Sequence, residues 1–91
     1  MTVNIEVGDH VIISPKCGIG RDSVIDDYVT LLWNVNVSGN VKIKEGATMG
    51  SGSTVIQGLT IGEGSFVGAG ATVIKDIEKY KTAVGVPTRY V

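Results

Sequence analysis

The chain is short of most residues that organise a small protein. Its single cysteine, Cys17, leaves no partner for an internal disulfide and rules out a cysteine-based zinc cluster. Its single histidine, His10, is too few for a metal centre built on several imidazoles, so no metal site is expected. The net charge is only −1 and no basic run occurs, which excludes nucleic acid or an anionic membrane as the main partner. The opening stretch "MTVNIEVGDH" has neither a basic start nor a long apolar core, so neither a secretory signal nor a membrane span is expected. A soluble cytoplasmic protein is the resulting expectation. With 91 residues there is room for one small domain with a modest core, which a repeat architecture or an oligomer would support. Against these shortages stand 13 glycines beside only two prolines, an imbalance that needs a structural cause.

That cause is a period of six. Stepping from Val7 gives Val7, Ile13, Ile19, Ile25, Leu31, Val37, Ile43, Met49, Val55, Ile61, Val67 and Val73, all apolar and ten of them Val or Ile. Two residues before each of the last eleven lies a small or apolar residue: Val11, Cys17, Ser23, Val29, Val35, Val41, Ala47, Ser53, Leu59, Ser65 or Ala71. A helix of 3.6 residues per turn cannot hold that spacing. A chain that makes a short strand, turns a corner and repeats can, with the pair spaced by two pointing inward. The last corner position reads Asn34, Asn40, Gly46, Gly52, Gly58, Gly64, Gly70, the residue types that tolerate a left-handed backbone, which is the reading offered for the glycine count.

Three strands then close a triangular coil of eighteen residues, and stacked coils set residue n beside n+18 at about 4.8 Å. Four coils follow, at 7–24, 25–42, 43–60 and 61–78, and each corner becomes a column. The first column carries Asp9, Asp27, Glu45 and Glu63, four acids that must face water. The second carries Pro15, Trp33, Ser51 and Ala69, flanked by outward-pointing Ile12, Leu32, Ile56, Phe66 and Ile74. Apolar side chains at that density mark a contact surface, and a cyclic trimer is the economical partner arrangement. The third column carries Arg21-Asp22, Gly39-Asn40, Gln57-Gly58 and Lys75-Asp76.

Residues 7 to 76 resemble the hexapeptide-repeat transferases, whose fold is an all-β, left-handed parallel β-helix. Within them the pieces "SGNV", "VIQG", "VGAGATV" and "VGVP", in that order and register, resemble sugar acetyltransferases such as the sialic-acid O-acetyltransferases and bacillosamine-pathway N-acetyltransferases. The resemblance implies a homotrimer with acetyl-CoA in the groove between two prisms and an amino-sugar or nucleotide-sugar acceptor. It implies a β-helix domain at 1–76 and a C-terminal tail or cap at 77–91, in which Pro87 fixes an extended path. Relatives also carry a separate α/β domain for the nucleotide sugar, and none is expected here because the repeat starts almost at Met1.

In register, the family's base histidine falls on Arg21 and its acidic neighbour on Asp22. Its acetyl-CoA contacts fall on Thr30, Ser51 and Ala69. Attack on a thioester by an amine or hydroxyl calls for a base with a near-neutral pKa, tuned by an acid. Arginine stays protonated and cannot be that base. His10 stands on the first corner, a whole prism edge away. Two readings stand: an acetyl-CoA-dependent sugar O-/N-acetyltransferase with altered chemistry, and a catalytically inactive trimeric β-helix serving as a binding or scaffold module.

Overall fold

In the computed structural model, which describes residues 4–91, the backbone follows the six-residue period strand by strand. Twelve two-residue strands, β1 to β12, occupy Glu6–Val7, Ile12–Ile13, Gly18–Ile19, Val24–Ile25, Thr30–Leu31, Asn36–Val37, Lys42–Ile43, Thr48–Met49, Thr54–Val55, Thr60–Ile61, Phe66–Val67 and Thr72–Val73. Every third strand pairs in parallel at an offset of eighteen, so Val7 lies on Ile25, Ile25 on Ile43 and Ile43 on Ile61. Three parallel sheets result, β1-β4-β7-β10, β2-β5-β8-β11 and β3-β6-β9-β12, and they form the faces of a triangular prism. This is the β-helix that the period predicts.

The rungs and their partners two residues earlier fill the prism. Val29, Leu31, Val35, Val41, Ile43, Met49, Val55, Ile61, Val67 and Val73 are fully buried, and Ser23, Ser53 and Ser65 lie among them. A buried hydroxyl needs a partner. Ser53 Oγ donates to the Gly50 carbonyl at 2.6 Å and Ser65 Oγ to that of Gly62 at 2.7 Å, each closing its own corner. Ser23 Oγ instead reaches the Ser38 carbonyl of the next coil at 2.9 Å. Cys17 points inward, as expected of a core residue, and its thiol donates to the Leu32 carbonyl at 2.9 Å.

Each corner is a four-residue turn. The Ala47 amide donates to the Lys44 carbonyl at 3.2 Å and that of Ser53 to Gly50 at 3.1 Å, and the third residue, Gly46 or Gly52, has φ of 73°. That is the geometry of a type II turn. The left-handed position recurs every six residues from residue 10 to residue 70 and is held by His10, Lys16, Asp22 and Tyr28 before the Asn and Gly series begins. These residues bear a cost of roughly 1–2 kcal/mol each for the conformation. Coil-to-coil bonds at the corners offset it: Tyr28 N to Asp9 O at 3.0 Å, Asn40 N to Arg21 O at 2.9 Å.

Turn conformation explains only part of the glycine count, which corrects the reading from sequence. Gly46, Gly52, Gly58, Gly64, Gly70 and Gly85 have positive φ, whereas Gly8, Gly18, Gly20, Gly39, Gly50, Gly62 and Gly68 do not. Several of the second group follow a rung directly and lie against the neighbouring coil. A Cβ on Gly50 would sit 2.6 Å from the Ala69 amide nitrogen and 2.7 Å from the Val67 carbonyl oxygen. Close stacking, as well as turn conformation, therefore demands glycine.

The eighteen-residue offset ends with β12. Ile77 pairs with Ile61, and β13 (Thr82–Val84) pairs with β11 through Phe66 and Thr82, both at an offset of sixteen. Lys75-Asp76, expected as another left-handed corner, takes no such turn. The chain cuts this corner two residues short, and the Asp76 carboxylate accepts the Thr60 amide at 2.9 Å. Ile77 and Ala83 remain core residues. β14 (Arg89–Tyr90) then folds back antiparallel on β13, and Gly85 and Thr88 bond to Thr72, so all three sheets are covered at this end. At the other end Val7 and Ile13 are rungs in register, yet 48% and 41% exposed, because among the described residues no coil lies above them. Ile12, Trp33, Ile56, Phe66 and Ile74 are exposed on the two faces that meet at the second corner, and Leu32 is half-buried. No helix among the described residues is long and apolar enough to cross a membrane.

The two glycine classes separate under mutation. Gly50→Ala is expected to lower stability by about 1–3 kcal/mol, since it forces a side chain into the next coil's backbone. Gly58→Asn meets nothing within 4 Å and keeps a residue suited to φ of 82°, so it is expected to cost less than about 1 kcal/mol. Urea unfolding followed by circular dichroism measures both.

Candidate functional site

The third corner is built from below. Gly20 follows β3 with no side chain and rests on the Ser38–Gly39 backbone. Its amide donates to the Val37 carbonyl at 2.7 Å. Arg21 follows with its carbonyl held by Asn40, and Asp22 takes φ of 61°. Ser23 turns inward and anchors the corner to the next coil through Ser38 and Val41. The backbone is thus pinned from both sides, and Arg21 and Asp22 stand exposed on the edge. Below them the column continues through Gly39-Asn40 and Gln57-Gly58.

The second corner holds the other set. Gly52 N donates to Trp33 O at 2.7 Å and Gly70 N to Ser51 O at 2.8 Å, so Trp33, Ser51 and Ala69 stack in that order, all exposed. Beside them Gly50 and Gly68 follow β8 and β11 and are buried, the space a side chain would take being filled by the Val67–Ala69 backbone at Gly50 and by Val84 at Gly68. Thr30 stands half-buried on the same sheet, in the column of Ile12, Thr48 and Phe66. Thr30, Ser51 and Ala69 therefore gather around one surface, while Arg21 and Asp22 lie across a whole face from it. No single prism brings the two sets together.

Two features of this surface escaped the sequence reading. Gly50 and Gly68, read as part of the general glycine excess, let the neighbouring coils stack closely beside this corner; the available signal was that they fall directly after a rung instead of on a corner. A cleft lined by Lys75, Asp76, Ile77, Thr88, Arg89 and Tyr90 also opens below the third corner, made by the fold-back of β14. That fold-back has no trace in the six-residue pattern.

The first corner differs in character. Asp9, Asp27, Glu45 and Glu63 are all exposed. The Asp27 carboxylate accepts the Asp9 amide at 2.7 Å, and His10 stacks on Tyr28 with ring centroids 5.0 Å apart. His10 is thus engaged on an edge that carries neither candidate set. At the lower end Tyr80 lies over Gly64 and donates to Glu63 at 3.1 Å. Among the described residues no three His, Cys, Asp or Glu side chains converge as a metal would require.

No family model matches the chain. Individual proteins do. An acyl-[acyl-carrier-protein]–UDP-N-acetylglucosamine O-acyltransferase of Pseudomonas paraeruginosa is 36% identical over 81 residues, covering 89% of this chain and 31% of the relative. Among solved structures, WeeI from Acinetobacter baumannii superposes with a TM-score of 0.94 at 34% identity, over 97% of this chain and 44% of WeeI. A serine acetyltransferase in complex with CoA superposes with a TM-score of 0.91 at 29% identity, over 96% of this chain and 39% of the enzyme. The chain belongs to the hexapeptide-repeat acyltransferases. Its fold is their left-handed β-helix, and it spans about a third of the length of the curated relative it matches.

This hexapeptide-repeat chain carries one side-chain pair whose titration reports on the edge. The hydrogen bond to Glu63, then the charges of Glu63 and Glu45, push the Tyr80 phenol above its ordinary value near 10. A pKa raised on folding stabilises the fold below the unfolded value, and that contribution is lost as pH rises through the folded one. Ultraviolet titration is expected to show a phenol ionising above the ordinary range, and Tyr80→Phe is expected to remove it. The cap should loosen at alkaline pH in the parent protein only.

Proposed function

We propose that the chain is the β-helix part of an acyltransferase that takes its acyl group from acetyl-CoA and passes it to an amine or hydroxyl of a sugar or nucleotide sugar. The observation that carries this reading is the division of the candidate residues between two corners. Thr30 stands half-buried on the second sheet, Ser51 and Ala69 stand exposed at its corner, and Arg21-Asp22 occupy a separate edge. Side-by-side packing of prisms into a homotrimer sets the third corner of one against the second sheet of the next, and the exposed Ile12, Ile56, Phe66 and Ile74 supply apolar surface for that contact. The thioester end of the cofactor lies along Ser51 and Ala69, where small side chains leave room. Residues 77–91 act as the C-terminal cap of this domain.

In the transfer the acceptor's nitrogen or oxygen attacks the thioester carbonyl, the carbon–sulfur bond breaks, and CoA leaves as the thiol. The acceptor proton must go to a base. Arg21 holds its proton at neutral pH and serves instead to attract an acidic group of the acceptor. Asp22 is the proton acceptor available on that edge. An amine attacks before it loses its proton, so positioning alone accelerates its acylation. A hydroxyl has no such route, which favours an amine acceptor.

Arg21 also favours a second reading, a β-helix that keeps the cofactor groove without turnover. Calorimetry with acetyl-CoA separates the possibilities. Binding with slow acyl transfer to an amino sugar, raised about 100-fold or more in Arg21→His, is the expected result for a retained groove awaiting a base. Binding with no transfer in either form supports the silent module. No heat at millimolar acetyl-CoA would exclude both uses of the groove.

A further inference from the structure

Trp33 is the only tryptophan of the chain, and it stands 55% exposed on the second corner. Its carbonyl accepts the Gly52 amide at 2.7 Å, so its backbone is fixed one coil above Ser51 while the indole stays open to solvent. What lies opposite follows from the rise of the coil. Eighteen residues advance the chain by about 4.8 Å, so the twelve from Arg21 to Trp33 advance it by about 3 Å, and the five from Lys16 to Arg21 by about 1 Å. Cyclic packing about an axis along the prism keeps every residue at its own level. With the third corner of one prism set against the second sheet of the next, Arg21 and Asp22 come between the levels of the partner's Lys16 and the partner's Trp33.

Three properties meet at that level. Lys16, Arg21 and Asp22 are all exposed. Arg21 and the partner's Lys16 repel each other, Asp22 balances one of the two charges, and the other calls for an anion from outside. The column below Arg21 carries no side chain at Gly39, which falls between the levels of the partner's Trp33 and the partner's Ser51, and room is left there. An indole offers a flat apolar face. A sugar ring offers C–H groups on one face and polar groups at its rim. A sugar with one anionic substituent therefore satisfies both sides, its ring lying on Trp33 and its anion meeting the cations.

We infer that Trp33 and Lys16 of one prism join Arg21 of the next in a single acceptor subsite, which takes a sugar bearing a carboxylate or a phosphate. The inference rests on the side-by-side homotrimer proposed above. It sets the sugar one coil, about 4.8 Å, from Ser51, beside the place given to the thioester end of the cofactor. Emission of the single tryptophan reads the subsite directly when glucosamine 6-phosphate, glucuronic acid and glucosamine are titrated into the full chain. Both anionic sugars are expected to shift Trp33 emission, and glucosamine to bind about tenfold more weakly. Either order between the two anions supports the inference, and the tighter one names the anionic group. Arg21→Gln and Lys16→Gln are each expected to weaken binding of the anionic sugars about tenfold. Trp33→Ala, followed by calorimetry because it lacks the fluorophore, is expected to lose that binding. Chains of Trp33→Ala and Arg21→Gln, mixed in urea and refolded together, are expected to regain it at about a quarter of the sites, the share that pairs an intact Trp33 with an intact Arg21 of the next chain. A trimer that binds acetyl-CoA but shows no response of Trp33 to either anion, or a mixture that regains no binding, overturns this inference alone. A monomer in sedimentation equilibrium overturns the homotrimer and this inference with it.

Discussion

Everything in this molecule depends on closure. Eighteen residues must return the chain to a point one strand spacing from where they began, with each rung directly over the last. That requirement fixes the inward pair on every strand, because Ile25, Ile43 and Ile61 share one column and must fill it without gaps. It fixes a left-handed residue on each corner from residue 10 to residue 70. It also fixes how close coils approach, which is why Gly50 can carry no side chain. Core, corner and stacking are three consequences of one geometric condition, and a change to any of them disturbs the others.

The same condition made much of the fold legible from sequence. Rungs at Val7 through Val73 repeat so strictly that only a closed eighteen-residue coil accommodates them, and the structure pairs them as the count requires. The corners were legible from Asn34 onward, where Asn and Gly advertise positive φ. At His10, Lys16, Asp22 and Tyr28 they followed from the six-residue count alone, since the residue types give no such signal and inter-coil hydrogen bonds overrule local propensity. Two things left no signal at all. The shift of offset from eighteen to sixteen follows from a backbone shortcut, which the composition around Lys75-Asp76 does not mark. The cap of β13 and β14 lies outside the repeat and obeys no period.

The site was legible only as positions, and the reason is physical. A repeat equalises its backbones, so the third corner at Arg21 differs from the corner at Gly39 in its side chains and little else. The candidate residues are outward departures from the pattern: Arg21, Asp22, Trp33 and the small pair Ser51 and Ala69. Which departures act together is decided by how prisms pack, a property of the assembly and not of one chain. Resemblance to known transferases supplied the roles, and the structure supplied their separation across a face.

That separation bears on what a substitution at the third corner means. The Arg21 backbone is held by Asn40 and flanked by Gly20 and Ser23, and none of those contacts uses its side chain. The backbone turn at this corner is therefore held by groups other than the Arg21 side chain. The scaffold persists whether or not the base does, and its near-superposition on known acyltransferases carries no statement about proton transfer. What it does carry is position: an arginine on this edge directs a fixed positive charge toward whatever lies along the neighbouring face. Under the function proposed above, that charge bears on the charge of the acceptor more than on its ring or its nucleophile.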